Sequence, residues 1–91
     1  MKQITITLTY SGAAGGSANV ALLGPTSVSY HALPTDPSPS RTFTLAGGVY
    51  TISVQGMSGG TATLIVDDGT NQLVNMTCPP TNIFFATSFP V

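Results

Sequence analysis

The residues that could carry acid–base or nucleophilic chemistry are few: one imidazole (His31), one thiol (Cys78) and three carboxylates (Asp36, Asp67 and Asp68). A hydrolytic triad needs a nucleophile, an imidazole and an orienting acid. Cys78, His31 and Asp36 supply these types, but no nucleophile-elbow or catalytic-cysteine signature surrounds Cys78. We therefore expect His31 to be an outward-facing strand residue and Cys78 to be a buried or half-buried small side chain. No catalytic site is predicted.

The adjacent carboxylates Asp67 and Asp68 are better explained by a turn than by chemistry. Acid–base work by paired carboxylates needs two acids across a cleft, and neighbouring side chains at a strand end diverge. Asp followed by Gly69 favours a hairpin turn, in which the carboxylate binds its own backbone. One His and one Cys are too few for zinc, and the turn lacks the repeated acidic spacing of a calcium loop. No metal or cofactor is predicted.

The surface of this protein must be polar without being charged. Only 5% of the 91 residues are charged and the net charge is -1, against about 25% charged residues in ordinary soluble domains. Two cations, Lys2 and Arg41, cannot neutralise a run of phosphates, which excludes binding to nucleic acid or to an anionic membrane as the main activity. Ser and Thr make up 23 of the residues and are expected to face water. So little charge favours association with other chains.

The elements that position these residues are strands. Apolar residues alternate with threonines from Ile4 to Leu8, and similar alternation recurs along the chain without any helical stripe. Expected strands cover residues 3–10, 18–23, 26–33, 42–45, 49–55, 61–66, 72–78 and 83–89, separated by segments rich in Gly or Pro. This spacing is typical of a sandwich or a small barrel. We predict one all-β domain over residues 1–91, a small antiparallel β-sandwich of about seven or eight short strands.

The segment from Phe43 to Gly56, FTLAGGVYTISVQG, resembles a recurring hairpin of prealbumin-like β-sandwich modules. It is similar to the carboxypeptidase-regulatory-like and PEGA-type modules, in which a strand ends in Gly and a Tyr-centred strand returns. No Gly-x-Val opening with an Asp-rich turn precedes it, so the likeness covers residues 43–56 only. The resemblance implies a sandwich fold and a non-catalytic spacer, surface-attachment or polysaccharide-associated role.

The chain begins with alternating polar and apolar residues at Met1 and shows no signal-peptide pattern. No apolar run reaches the roughly 18 residues of a membrane-spanning helix. The single Cys78 cannot form an intramolecular disulfide. The localisation is not given by the sequence, and the expectation it favours is cytoplasmic synthesis followed by incorporation into a virion or other assembly.

The C-terminal segment is the part of the chain most prone to associate with other chains. Phe84 and Phe85 are adjacent in a strand, so their rings point to opposite faces and one of them must leave the core. A long apolar edge strand without charge invites pairing with another chain. The predicted partner-binding residues are Ile83, Phe84, Phe85, Phe89 and Val91. This pattern favours a non-catalytic structural or assembly subunit, such as a virion or tail accessory protein, a coat module or a filament subunit, that forms a homo-oligomer or larger assembly.

A carbohydrate-binding or adhesive module is the alternative. Its ligand surface would be Tyr30, His31 and Asp36, beside a proline-rich segment at residues 34–40. Sugar-binding modules stack their ligands on exposed aromatic rings, and this chain has no Trp and only seven aromatic residues. Glycan binding is therefore the second interpretation of the sequence, after assembly.

Overall fold

Eight strands form the described part of the chain in the computed structural model, which describes residues 2–10, 16–32, 40–79 and 81–91. They are β1 (Lys2–Tyr10), β2 (Gly16–Leu23), β3 (Val28–Ala32), β4 (Ser40–Leu45), β5 (Val49–Ser58), β6 (Ala62–Asp67), β7 (Gln72–Cys78) and β8 (Thr81–Pro90). Within these ranges no helix is long and apolar enough to span a membrane.

The strands form two antiparallel sheets that pack face to face, which confirms the predicted β-sandwich. Sheet A has the order β4-β1-β6-β7 and sheet B the order β3-β2-β5-β8. Only β2–β3 and β6–β7 join neighbours within one sheet, and every other connection between described strands passes from one sheet to the other. The strands β3, β4, β7 and β8 are therefore edge strands.

The core lies between the two sheets and follows the alternation of the sequence. Ile4, Ile6 and Leu8 of β1 are buried, whereas the residues between them are half-buried or exposed. The largest fully buried side chains are Tyr50, Phe85, Phe89, Ile4, Ile6, Leu22, Leu45, Ile52, Leu64, Val20, Val54 and Val66. The buried Tyr50 donates its hydroxyl to the Ala46 carbonyl at 2.9 Å, so its polar end is satisfied. The period-2 pattern therefore supplies one apolar face to each sheet.

The segment from Phe43 to Gly56 does not form the expected hairpin. β4 pairs with β1 in sheet A, and β5 lies between β2 and β8 in sheet B. The hairpin interpretation is wrong because residues 46–48 cross between the sheets, which lets Leu45 and Tyr50 bury from opposite sides of the core.

The strand β5 is longer than the sequence suggests. A turn was expected from Gly56, but the strand continues to Ser58, with Gly56 paired to Ala18 on one side and Ile83 on the other. A Cβ at Gly56 would collide with the backbone carbonyl oxygen of Ser17. This glycine allows a close approach of two strands rather than a change of direction. The proline-rich segment at residues 34–39 lies outside the described residues.

Candidate interaction surface

The C-terminal residues expected to bind a partner occupy two different environments. Strand β8 is an edge strand of sheet B, and the side chains of Ile83, Phe85 and Phe89 are buried in the core of the domain. Val91 is half-buried, and Phe84 is 62% exposed. The side chains of Ile83, Phe85 and Phe89 are thus occupied within the domain, because they alternate onto the inner face. What β8 offers to a partner is Phe84 and its own backbone edge.

The outer face of sheet B carries no Asp, Glu, Lys or Arg among its described residues. Cross-strand pairing arranges its residues in rows, and the middle row consists of Ser29, Ala21, Ser53 and Ala86. Large apolar side chains stand on either side of that row: Leu23 and Val49 toward one end, Met57 and Phe84 toward the other. This face carries small residues along its middle row, with exposed apolar groups at its margins.

The outer face of sheet A is covered largely by hydroxyl groups, as expected from the threonine content. Its cross-strand neighbours bind one another: Thr5 to Thr42 at 3.1 Å, Thr7 to Ser40 at 2.8 Å and Thr63 to Thr77 at 3.3 Å. Such cross-strand hydroxyl pairs stabilise a sheet modestly, by about 0.2–1 kcal/mol each. Sheet B also has a hydroxyl pair, Thr51 with Ser88 at 3.3 Å, but it differs from sheet A in the large apolar side chains that it exposes.

The two described residues of the expected glycan surface, Tyr30 and His31, point to opposite faces of β3. His31 is exposed on the outer face of sheet B, opposite Asn19, as predicted for an outward-facing strand residue. Tyr30 points to the other face, where its ring centroid lies 5.9 Å from that of Phe43 and 4.7 Å from the Arg41 guanidinium carbon. The Arg41 side chain covers a face of that ring, as in a cation–π pair. Asp36 lies outside the described residues, so glycan binding stays a prediction.

The groups able to act as nucleophile and base are also separated. Cys78 is half-buried on β7 and donates its thiol to the Phe84 carbonyl at 3.3 Å, as expected for a small packed side chain. His31 lies on β3, at the opposite edge of sheet B from Phe84. Over the described ranges, no three His, Cys, Asp or Glu residues lie close enough to hold a metal ion.

The carboxylates Asp67 and Asp68 form the turn between β6 and β7, as predicted. Asp67 accepts a hydrogen bond from the Gly69 amide, and Asp68 accepts bonds from the amides of Thr70 at 2.9 Å and Asn71 at 2.7 Å. Gly69 has a φ of +92°, in the region that favours glycine. The two amide bonds, aided by Lys2 at 3.7 Å, lower the pKa of Asp68 below its ordinary value of 3.8.

The lowered pKa of Asp68 predicts a pH-dependent part of the stability. Because the folded-state pKa is below the unfolded value, this contribution is complete above pH 3.8 and is lost as the pH falls through the folded-state pKa. We expect Asp68→Asn to have a shallower loss of unfolding free energy between pH 5 and 2 than the parent chain. Urea unfolding at a series of pH values measures this, and equal acid slopes would show that Asp68 is not coupled to folding.

No family model, curated protein or solved structure matches this chain. The surface must therefore be interpreted from its own geometry. The sequence interpretation grouped Phe84 with Ile83, Phe85 and Phe89 as partner-binding residues, whereas the structure buries those three. It did not include Met57, which is 61% exposed beside Asn82. The sequence shows that side chains alternate between the two faces of β8, which separates Phe84 from its buried neighbours. It does not show that β8 pairs with β5, which brings Met57 close to Phe84.

Proposed function

We propose that this protein is a non-catalytic structural subunit that assembles with other chains through uncharged β surfaces, with β8 as the principal contact. The observation that carries the proposal is the open edge of β8: ten residues without a charged side chain, from which the Phe84 ring projects 62% exposed. Natural proteins usually blunt such an edge with charge, bulges or a covering loop. The proposal covers coat, tail-accessory and filament subunits alike, since each of these acts by assembling with other chains.

The lack of charge on the outer face of sheet B supports the same proposal. The apolar side chains Leu23, Val49, Met57 and Phe84 all stand on this face, each at least 57% exposed. Association through such a surface is driven by burial of apolar area and by backbone pairing rather than by ion pairs. It should therefore be nearly insensitive to salt, because screening acts only on charges.

Light scattering across a range of protein concentrations tests the assembly role. We expect the mean mass to rise above that of the monomer at micromolar concentration, with an association constant that changes by less than about threefold between low and high salt. A chain that stays monomeric at millimolar concentration would contradict the proposal.

A pair of variants shows whether β8 is the contact. Phe84→Ser removes the exposed ring at the β8 edge, whereas Leu23→Ser removes a similarly exposed apolar side chain from β2, inside sheet B. We expect Phe84→Ser to weaken association about tenfold or more, as for a central interface residue, and Leu23→Ser to have a much smaller effect. Equal effects of the two would place the contact on the face rather than at the edge.

A further inference from the structure

In an edge strand, alternate residues direct their backbone N–H and C=O groups toward the neighbouring strand or away from it, and we call this alternation the hydrogen-bond phase. The phase of β8 follows from the bonds at its C-terminal end. Gly48 and Val91 exchange two backbone bonds, Gly48 N–H to Val91 O at 3.2 Å and Val91 N–H to Gly48 O at 2.8 Å. They continue the β5–β8 register directly after the pair Val49–Pro90. In an antiparallel ladder, pairs that exchange both bonds alternate with pairs that exchange none. Pro90, which has no N–H, falls on a pair that needs none, which agrees with this phase.

The phase shows which backbone groups of β8 face away from β5. The register runs without a shift over the whole strand, so every second residue turns its N–H and C=O toward the open edge. These residues are Asn82, Phe84, Ala86 and Ser88. Among the bonds between described residues, only the Cys78 thiol reaches one of these groups, the Phe84 carbonyl. That oxygen keeps a second lone pair for another donor.

The other edge strands are less suited to pairing. β3 has five residues, β4 has six and carries Arg41, and β7 has seven and lies beside a register irregularity at Val66/Asp67. β8 has ten residues, an unbroken register and no charge. It is therefore the edge that best fits a second strand.

We propose that β8 pairs antiparallel with β8 of a second copy of this chain, about a two-fold axis beside Phe85. Asn82 then lies opposite Ser88 of the second copy, and Phe84 lies opposite Ala86 of the second copy. This proposal deepens the proposed function and rests on it. The two four-stranded B sheets become one continuous sheet of eight strands, and the contact closes on itself as a symmetric dimer.

Backbone pairing is compatible with this register. Each edge-facing residue must meet another edge-facing residue, so only shifts by two positions keep the bonds. The proposed register joins all four such residues in pairs and forms about eight backbone hydrogen bonds. A shift toward the C-terminus places Pro90 opposite Asn82, and that pair can form only one of its two bonds because proline has no N–H to donate.

Side chains agree with the same register. The exposed Phe84 ring is brought over the small Ala86 of the second copy, and the two Phe84 rings become diagonal neighbours across the axis. Diagonal neighbours in antiparallel sheets lie about 7–8 Å apart, within reach of aromatic side chains. The polar Asn82 meets the polar Ser88. Pairing thus covers the most exposed aromatic ring of the chain and leaves no charge at the contact.

Disulfide trapping tests the register in a Cys78→Ser background. Asn82→Cys with Ser88→Cys places two thiols opposite each other between copies, at a Cα separation of about 5.5 Å that a disulfide can span. Within one chain these positions are about 20 Å apart, so they cannot bridge each other. The control is Ala86→Cys alone, which meets its own copy only in a register shifted by two residues. We expect mild oxidation to give a covalent dimer at least about tenfold faster for the double variant than for the control.

The outcomes separate this proposal from the one on which it rests. Concentration-dependent assembly without the 82–88 link, or faster linking through position 86, overturns the register and leaves the assembly role standing. A monomer at all concentrations overturns both.

Charge insertion gives a second measurement that does not depend on oxidation. Ala86→Lys adds a charge at the axis, and Ala21→Lys adds the same charge in the same row of sheet B but inside the sheet. We expect the dimer dissociation constant to rise about tenfold or more for Ala86→Lys and to change little for Ala21→Lys. Equal changes for the two variants would overturn pairing at this edge.

Discussion

Replacing Phe85 by Ala is expected to lower the free energy of unfolding by about 4 kcal/mol, whereas the same replacement at Phe84 changes it by about 0.5 kcal/mol or less. Phe85 is 1% exposed and points between the sheets from β8, so truncation leaves a cavity in the core. Phe84 is 62% exposed and points to solvent. The two variants remove the same atoms from neighbouring positions, so the difference between them isolates burial.

Urea unfolding at a concentration where the chain is monomeric measures both effects, with an unchanged m-value as the check that the comparison is valid. At concentrations where the chain assembles, Phe84→Ala is expected to weaken association while Phe85→Ala lowers the stability of each subunit. A loss at Phe84 as large as that at Phe85 in the monomer would show that Phe84 packs into the domain core.

The opposite roles of these two rings could be predicted from the sequence, because side chains alternate across a strand. The same rule gave the buried face of β1, with Ile4, Ile6 and Leu8, and the hydroxyl face opposite it. Applied to Tyr30 and His31, it also separates them, and the structure places them on opposite faces of β3. Tyr30 and His31 could belong to one ligand surface only if a loop reached both faces of β3.

Strand pairing could not be predicted from the sequence, because periodicity describes one strand and not its neighbours. The short link at residues 46–48 has the glycines of a tight hairpin, yet it crosses between the sheets. Gly56 was expected to turn the chain, but it serves a close approach of β5 to β2. The glycine is required in both cases, and only the three-dimensional neighbour shows for which reason.

The proposed interaction surface also combines features that the sequence shows with features that it does not. Its proposed location in the C-terminal strand follows from apolar composition and missing charge, which are properties of the sequence. The phase of its backbone groups follows from the register with β5 and from the Gly48–Val91 pair. A strand identical in sequence but shifted by one residue would turn the odd-numbered amides to the open edge and bury Phe84.

That phase makes a prediction about proline at adjacent positions of β8. Thr87 pairs with Ile52 in a position that exchanges both backbone bonds, whereas Ala86 pairs with Ser53 in a position that exchanges none. We expect Thr87→Pro to lower the free energy of unfolding of the monomer by about 3 kcal/mol, since it removes a ladder bond and leaves the Ile52 carbonyl without its donor. Ala86→Pro is expected to cost about 1 kcal/mol or less, because proline is tolerated where the N–H faces outward.

The two proline variants should respond in the opposite order when association is measured. Ala86→Pro removes donors at the proposed dimer axis and is expected to abolish the dimer while the subunit stays folded. Near-UV circular dichroism measures the folding of the subunit, and light scattering measures the dimer.

Amide hydrogen exchange tests the same phase in the parent monomer, without any substitution. The amides of Phe84, Ala86 and Ser88 should exchange fast, and those of Phe85, Thr87 and Phe89 slowly. Protection of the first group in a monomer, or equal destabilisation by the two prolines, would contradict the assigned phase. Because the dimer register depends on that phase, it would have to be abandoned with it.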